Sequence, residues 1–123
     1  MNNAYHVNTI SDRAIRYSDQ SVQENFHAAE SFFLLNKQEN NFLEDYSRDD
    51  FKTFRTRFVG IILATDMARH ASDLNNIKTL LEKHQIVEGK NQENIVDTSS
   101  AKLEFDSKQT LLEFALHAAD VST

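Results

Sequence analysis

Phe51, Phe54, Phe58, Ile61 and Ile62 return every three or four positions, the period of one face of an α-helix. A stripe this broad has to be covered by other helices. It also runs into a cost. One turn beyond Ile62 and Leu63 come Asp66 and then His70, an acid and a histidine four residues apart, which share a face if the helix continues. A carboxylate on a buried stripe has to be paired, hydrogen-bonded or bound to metal. Glu24 with His27 and His117 with Asp120 repeat the acid-and-histidine spacing beside apolar residues, so the three pairs point to one shared polar site. The plain alternative is three unrelated surface pairs or helix-end residues.

With 123 residues the chain suffices for one domain, residues 1–123, with a modest core. There is no proline and there are only two glycines, and the apolar residues lack the alternation of strands, so an all-α fold is expected. The absence of cysteine excludes disulfides, thiolate chemistry and cysteine-ligated zinc; a metal would need histidine, carboxylate or water. Acids outnumber bases, 19 to 13, and no Lys/Arg cluster offers a stripe that could track phosphates. Nucleic acid is therefore not an expected partner. The longest apolar run, Val59 to Ala64, falls far short of a membrane span, and the amino terminus lacks the regions of a signal peptide, so a cytoplasmic protein without a membrane partner is expected.

Along the chain, Met1 to Tyr17 reads as two short helical turns, the second begun by Ser11 and Asp12. Ser21-Val22-Gln23-Glu24 has the capping-box pattern, which starts a helix at about Val22 and carries it through His27, Ala28, Phe32 and Leu35. Capping would turn Glu24 back onto its own backbone, a second reading of that residue. Asn36 to Asn41 is a polar break, and Ser47 caps what reads as the longest helix, reaching about His70. Gly60 in its middle costs about 1 kcal/mol relative to alanine and marks the close approach of another helix. Ser72 and Asp73 read as the cap of a helix through His84, and Ile86 to Asp106 as a long mobile loop. Ser107 then reads as the cap of a last helix that meets the end of the sequence without a stop signal, the pattern of a cut chain. There is no glycine-rich phosphate loop, nucleophile elbow or paired-histidine zinc-protease signature. Glu24-x-x-His27 has the spacing of a di-iron carboxylate bundle, but that site needs a second such motif.

Three stretches together carry a family resemblance: Tyr17-Ser18-Asp19-Gln20-Ser21-Val22-Gln23-Glu24-Asn25-Phe26-His27, then Ile62-Leu63-Ala64-Thr65-Asp66-Met67 followed by His70, then Leu116-His117-Ala118-Ala119-Asp120-Val121-Ser122. They resemble, in order and with similar intervals, the Y-x-D-x-S-V-x-E-N-H-H, I-L-A-T-D-M-x-x-H and L-H-x-A-D-L-S-N motifs of the class I 3',5'-cyclic-nucleotide phosphodiesterases. The resemblance covers essentially the whole chain. It implies part of an all-α multi-helix catalytic domain of the HD-type superfamily, holding Zn2+ and Mg2+ (or Mn2+) and hydrolysing cyclic AMP or cyclic GMP in signal transduction.

It also implies roles. Asp120 would be a metal ligand, Glu24 and Thr65 would act on metal-bound waters, and Asp66 would sit at the metal and hydroxide end. Met67 would line the substrate pocket, with His27 and His117 orienting the carboxylates from behind. Phe26 and Thr123 depart from the motifs, standing where the family has histidine and asparagine. The family's other zinc ligands, its leaving-group histidine and its purine-clamping glutamine have no counterpart here, so the isolated chain is expected to be an inactive internal piece of the domain. The rival expectation is a non-catalytic helical protein derived from a phosphodiesterase that binds a partner, and an oligomer is compatible with either.

Overall fold

The computed structural model describes residues 2–83 and 105–122. Among them every regular element is helical: α1 (Asn3–Asn8), α2 (Asp12–Arg16), α3 (Val22–Leu35), α4 (Arg48–Leu63), α5 (His70–Lys83) and α6 (Phe105–Val121), with short 3-10 turns at Gln38–Asn40 and Met67–Arg69. The all-α expectation holds. His84, Thr123 and residues 86–104 of the expected loop lie outside the described residues; residues 105 and 106 belong to α6.

Local chemistry sets most helix starts. Asn2 caps α1 and Ser11 caps α2, each side chain accepting from a backbone N–H three residues on. Ser47 does the same for α4 by accepting from Asp50 N at 3.2 Å, while Asp49 and Asp50 place negative charge at the positive end of the helix dipole. The end of α4 departs from expectation. Instead of running to His70 it stops at Leu63, where Thr65 N and Asp66 N bond back to Ile62 O and Leu63 O, three residues earlier. The Thr65 hydroxyl also donates to Ile62 O at 2.8 Å, and Asp66 accepts from Ala68 N at 3.0 Å to begin a 3-10 turn. Short polar side chains that bond nearby backbone groups compete with helix continuation, and two in a row end this one. The longest helix is consequently α6, with 17 residues against 16 for α4. Likewise α5 begins at His70, so Ser72 and Asp73 lie in its first turn, and Ser107 lies inside α6.

Packing follows the order α3, α4, α6, α5, with α1 and α2 against the start of α3. Phe32 of α3 meets Phe51 and Phe58 of α4 edge to face, at ring centroid distances of 6.2 and 5.4 Å. With Leu35 and Leu43 it forms the buried centre that Phe54 and Val59 close. Ser21, at the other end of α3, touches Asp66 just past α4, so these two helices are antiparallel. Gln109 of α6 donates to Arg57 O and His117 meets His70, which runs α6 along α4 in the same direction and against α5. Gly60 fits the expectation of a close approach: a Cβ there would lie 2.5 Å from Gln109 Nε2 and 2.6 Å from Glu113 Oε1.

Two substitutions test this packing. Phe32→Ala removes a ring that is 7% exposed and is expected to cost about 3–5 kcal/mol, whereas Phe33→Ala, at 64% exposure, is expected to stay within about 0.5 kcal/mol. Urea denaturation followed by circular dichroism measures both. At Gly60 the obstructing atoms are the ends of flexible side chains, so Gly60→Ala is expected to be near neutral, and Gly60→Val to cost about 1–3 kcal/mol in the same experiment.

Candidate functional site

Glu24 lies in the first turn of α3, Asp66 just beyond the end of α4 and Asp120 in the last turn of α6. Since α3 is antiparallel to α4 and α6 runs with it, the topology carries all three acids to one end of the bundle. Their surroundings differ. Asp66 is buried at 8% exposure, with Oδ2 accepting from Ser21 Oγ at 2.7 Å and Oδ1 from Ala68 N at 3.0 Å. Glu24 is half-buried and accepts from Asn3 Nδ2 at 2.8 Å. Asp120 is exposed, as is Met67 at 58%, while Thr65 is half-buried.

The start of α3 is not the expected capping box. Ser21 makes no side-chain cap, and its backbone is left-handed, φ 38° and ψ 53°. Asn3 of α1 takes over the capping: its Oδ1 accepts from Gln23 N at 2.8 Å while its Nδ2 holds Glu24. That frees the Ser21 hydroxyl for Asp66. The neighbouring Phe26 lies beneath the Arg13 guanidinium, 3.5 Å from the ring centroid, and Arg13 also donates to Gln23 Oε1 at 3.0 Å. A cation over an aromatic face thus pins α2 to α3 where the family motif has a histidine.

None of the three acid-and-histidine pairs of the sequence sets both side chains on each other. The helix break at Asp66 separates it from His70, whose Nδ1 lies 2.7 Å from His117 Nε2. Among the described residues His117 is the most buried polar one, at 1% exposure, and its Nδ1 has no partner among them. His27 is exposed and packs beside Phe26. The sequence marks Ser21 as a cap and a motif residue but does not show its bond to Asp66, does not show Asn3 holding Glu24, and pairs His70 with Asp66 rather than with His117. The contacts that matter span 21 to 47 positions, with no local signal to announce them.

Behind the histidines runs a charged seam. Arg69 reaches the buried Asp73 at 3.4 Å and Glu113 at 3.7 Å, and Glu113 accepts from Gln109 at 2.8 Å. One guanidinium therefore bridges two carboxylates on α5 and α6. Among the described residues no three His, Asp or Glu side chains come together as a group able to hold a metal ion.

The family model described as 3'5'-cyclic nucleotide phosphodiesterase matches residues 1–123. The mouse (Mus musculus) dual specificity calcium/calmodulin-dependent 3',5'-cyclic nucleotide phosphodiesterase 1C is 34% identical over 121 residues, which are 98% of this chain and 14% of that protein. The chimpanzee (Pan troglodytes) high affinity cGMP-specific 3',5'-cyclic phosphodiesterase 9A is 41% identical over 81 residues, 66% of this chain and 14% of that protein. The crystal structure of the phosphodiesterase domain of the RhoPDE fusion protein from the choanoflagellate Salpingoeca rosetta superposes with a TM-score of 0.79 at 32% identity. That match covers 98% of this chain and 34% of that one. The chain belongs to the 3',5'-cyclic-nucleotide phosphodiesterase family.

The histidine pair yields a stability prediction. His70→Ala strands a second buried nitrogen of His117 and is expected to cost about 1–3 kcal/mol. A double-mutant cycle with His117→Leu, measured by urea denaturation, is expected to show the double variant less damaged than the sum of the single ones, with a coupling of about 0.5 kcal/mol or more.

Proposed function

We propose that residues 1–123 form part of the catalytic domain of a 3',5'-cyclic-nucleotide phosphodiesterase, which opens the cyclic phosphodiester of cyclic AMP or cyclic GMP with water. The observation that carries the reading is the match of the family model to the whole chain. The placement of Glu24, Asp66 and Asp120 at helix ends that the topology brings to the same end of the bundle supports it. In this reading Glu24, Thr65 and Asp66 are the catalytic groups of this chain, Met67 lines the substrate pocket, Asp120 is a metal ligand, and His27 and His117 support the carboxylates.

Asp66 is the best-defined of these groups. It is buried and hydrogen-bonded through both oxygens, so its carboxyl group is held in one orientation. Thr65 spends its hydroxyl hydrogen on Ile62 O, which leaves the oxygen lone pairs to accept from a bound water. Glu24, held on one oxygen by Asn3, can accept a hydrogen bond on the other. His117, bonded to His70, fixes the last two turns of α6 and with them the position of Asp120.

Zinc together with magnesium or manganese belongs to the proposal through the family resemblance. The described residues do not by themselves fit such ions: a structural or catalytic zinc takes three or four protein donors, and no such group converges here. No step is accordingly assigned to a metal. The cytoplasmic location is likewise proposed; among the described residues no helix is long and apolar enough to cross a membrane.

The alternative, a non-catalytic helical protein that binds a partner, is favoured by the exposure of Phe42 at 76% and Phe33 at 64%. Kinetics separate the two. The isolated 123-residue chain is expected to hydrolyse neither cyclic nucleotide. The protein expressed from its complete reading frame is expected to hydrolyse at least one. In that protein Asp120→Ala is expected to lose bound metal, read by elemental analysis, and to lower kcat by about 100-fold or more, while Lys78→Ala changes neither. Wild-type metal content and turnover in the Asp120→Ala protein would overturn the assignment.

A further inference from the structure

We propose that Ser21 is the positioning residue for Asp66, an inference that rests on the reading of Asp66 as a site residue. Ser21 occupies the left-handed region at φ 38°, where a residue with a side chain is disfavoured, and Ser18 and Asp19 precede it at φ 52° and 62°. The serine does not take this conformation to cap α3, since Asn3 already supplies the bond to Gln23 N. What the conformation accomplishes is a contact: the Ser21 hydroxyl donates to Asp66 Oδ2 at 2.7 Å, across 45 positions of sequence.

The contact is held from both sides. Ser21 O accepts from Asn25 N at 2.9 Å and from Asn25 Nδ2 at 3.2 Å, anchoring the serine to the first turn of α3. Asp66 is anchored by Ala68 N on its other oxygen. A carboxylate gripped on one oxygen by its own turn and on the other by a different helix has a single orientation. Because Glu24 lies one turn along α3 from Ser21, the same bond sets the position of Asp66 relative to Glu24. A glycine would adopt this backbone without strain but could not donate. Serine at this position thus trades backbone ease for a donor aimed at Asp66.

Two variants pull strain and hydroxyl apart. Ser21→Gly removes both, and Ser21→Thr keeps the hydroxyl while adding a branched side chain to a left-handed residue. In the protein expressed from its complete reading frame, with Mn2+ and cyclic AMP or cyclic GMP, Ser21→Gly is expected to lower kcat by about 10–100-fold. Its KM is expected to stay within about threefold, the pattern of a group that acts in the transition state rather than in uniform binding. Ser21→Thr is expected to restore much of the kcat lost in the glycine variant, although both melt below wild type, the glycine variant because Asp66 loses a donor and the threonine variant because a branched side chain stands on a left-handed residue. A kcat that is instead high in the glycine variant and low in the threonine variant would overturn the proposal. Amide hydrogen exchange supplies a readout independent of turnover. The Ala68 N–H is expected to exchange about tenfold faster in Ser21→Gly than in wild type or Ser21→Thr, with the Ala64 N–H unchanged. If the wild-type protein hydrolyses neither nucleotide, the functional reading fails while the exchange experiment still decides the tether: equal Ala68 rates in all three proteins would refute it.

Discussion

A buried carboxylate has to find donors inside the protein, and Asp66, a residue 8% exposed, finds two. One is Ala68 N, which obliges the backbone to leave the α-helix and form the 3-10 turn at Met67–Arg69. The other is the Ser21 hydroxyl, which ties the end of α4 to the start of α3. The turn re-aims the chain so that α5 begins at His70, and His70 then meets His117. The break after Leu63, the antiparallel pairing of α3 with α4 and the docking of α5 on α6 all meet at this one side chain.

Two kinds of contact fill the space behind it. Between α3 and α4 they are aromatic, with Phe32 edge to face on Phe51 and Phe58 and the Arg55 guanidinium 4.2 Å from the Phe32 ring centroid. Between α4, α5 and α6 they include a polar seam: Gly60 leaves room for the ends of Gln109 and Glu113, and Arg69 joins Glu113 to Asp73. Apolar contacts tolerate small changes of angle because dispersion and area burial are non-directional. The Arg69 seam does not, since a buried acid without its cation is costly. The polar seam therefore sets the placement of α6 more narrowly than area burial would, and α6 carries Asp120.

Membership of the cyclic-nucleotide phosphodiesterase family gives these arrangements their context. The three ordered motifs coincide with the structural junctions: the start of α3, the turn after α4 and the last turns of α6. Each junction carries one acid toward the same end of the bundle. Phe26, the departure within the first motif, is accommodated by Arg13 rather than left as a gap, so the local fold at the start of α3 survives the change.

Helix content, the segments that become helices and the candidate acids were legible in the sequence, because periodicity, the lack of proline and local caps such as Ser47 act within a few residues of one another. Glu24, Asp66 and Asp120 could be named from spacing and family motifs alone. Their partners could not. The pattern that read Ser21 as a cap and Asp66 with His70 as one helical face was correct locally for a continuous helix. It failed because Thr65 and Asp66 satisfied nearby backbone groups and ended that helix. Asn3 capping α3, Ser21 gripping Asp66 and His70 meeting His117 are bonds between residues 20 or more apart. Hydrogen bonds are directional and short, so which donor reaches a buried acceptor depends on the packed geometry of whole helices. That geometry exists only once the aromatic face of α4 has been covered, and so the tertiary structure alone decided which side chains hold the candidate site.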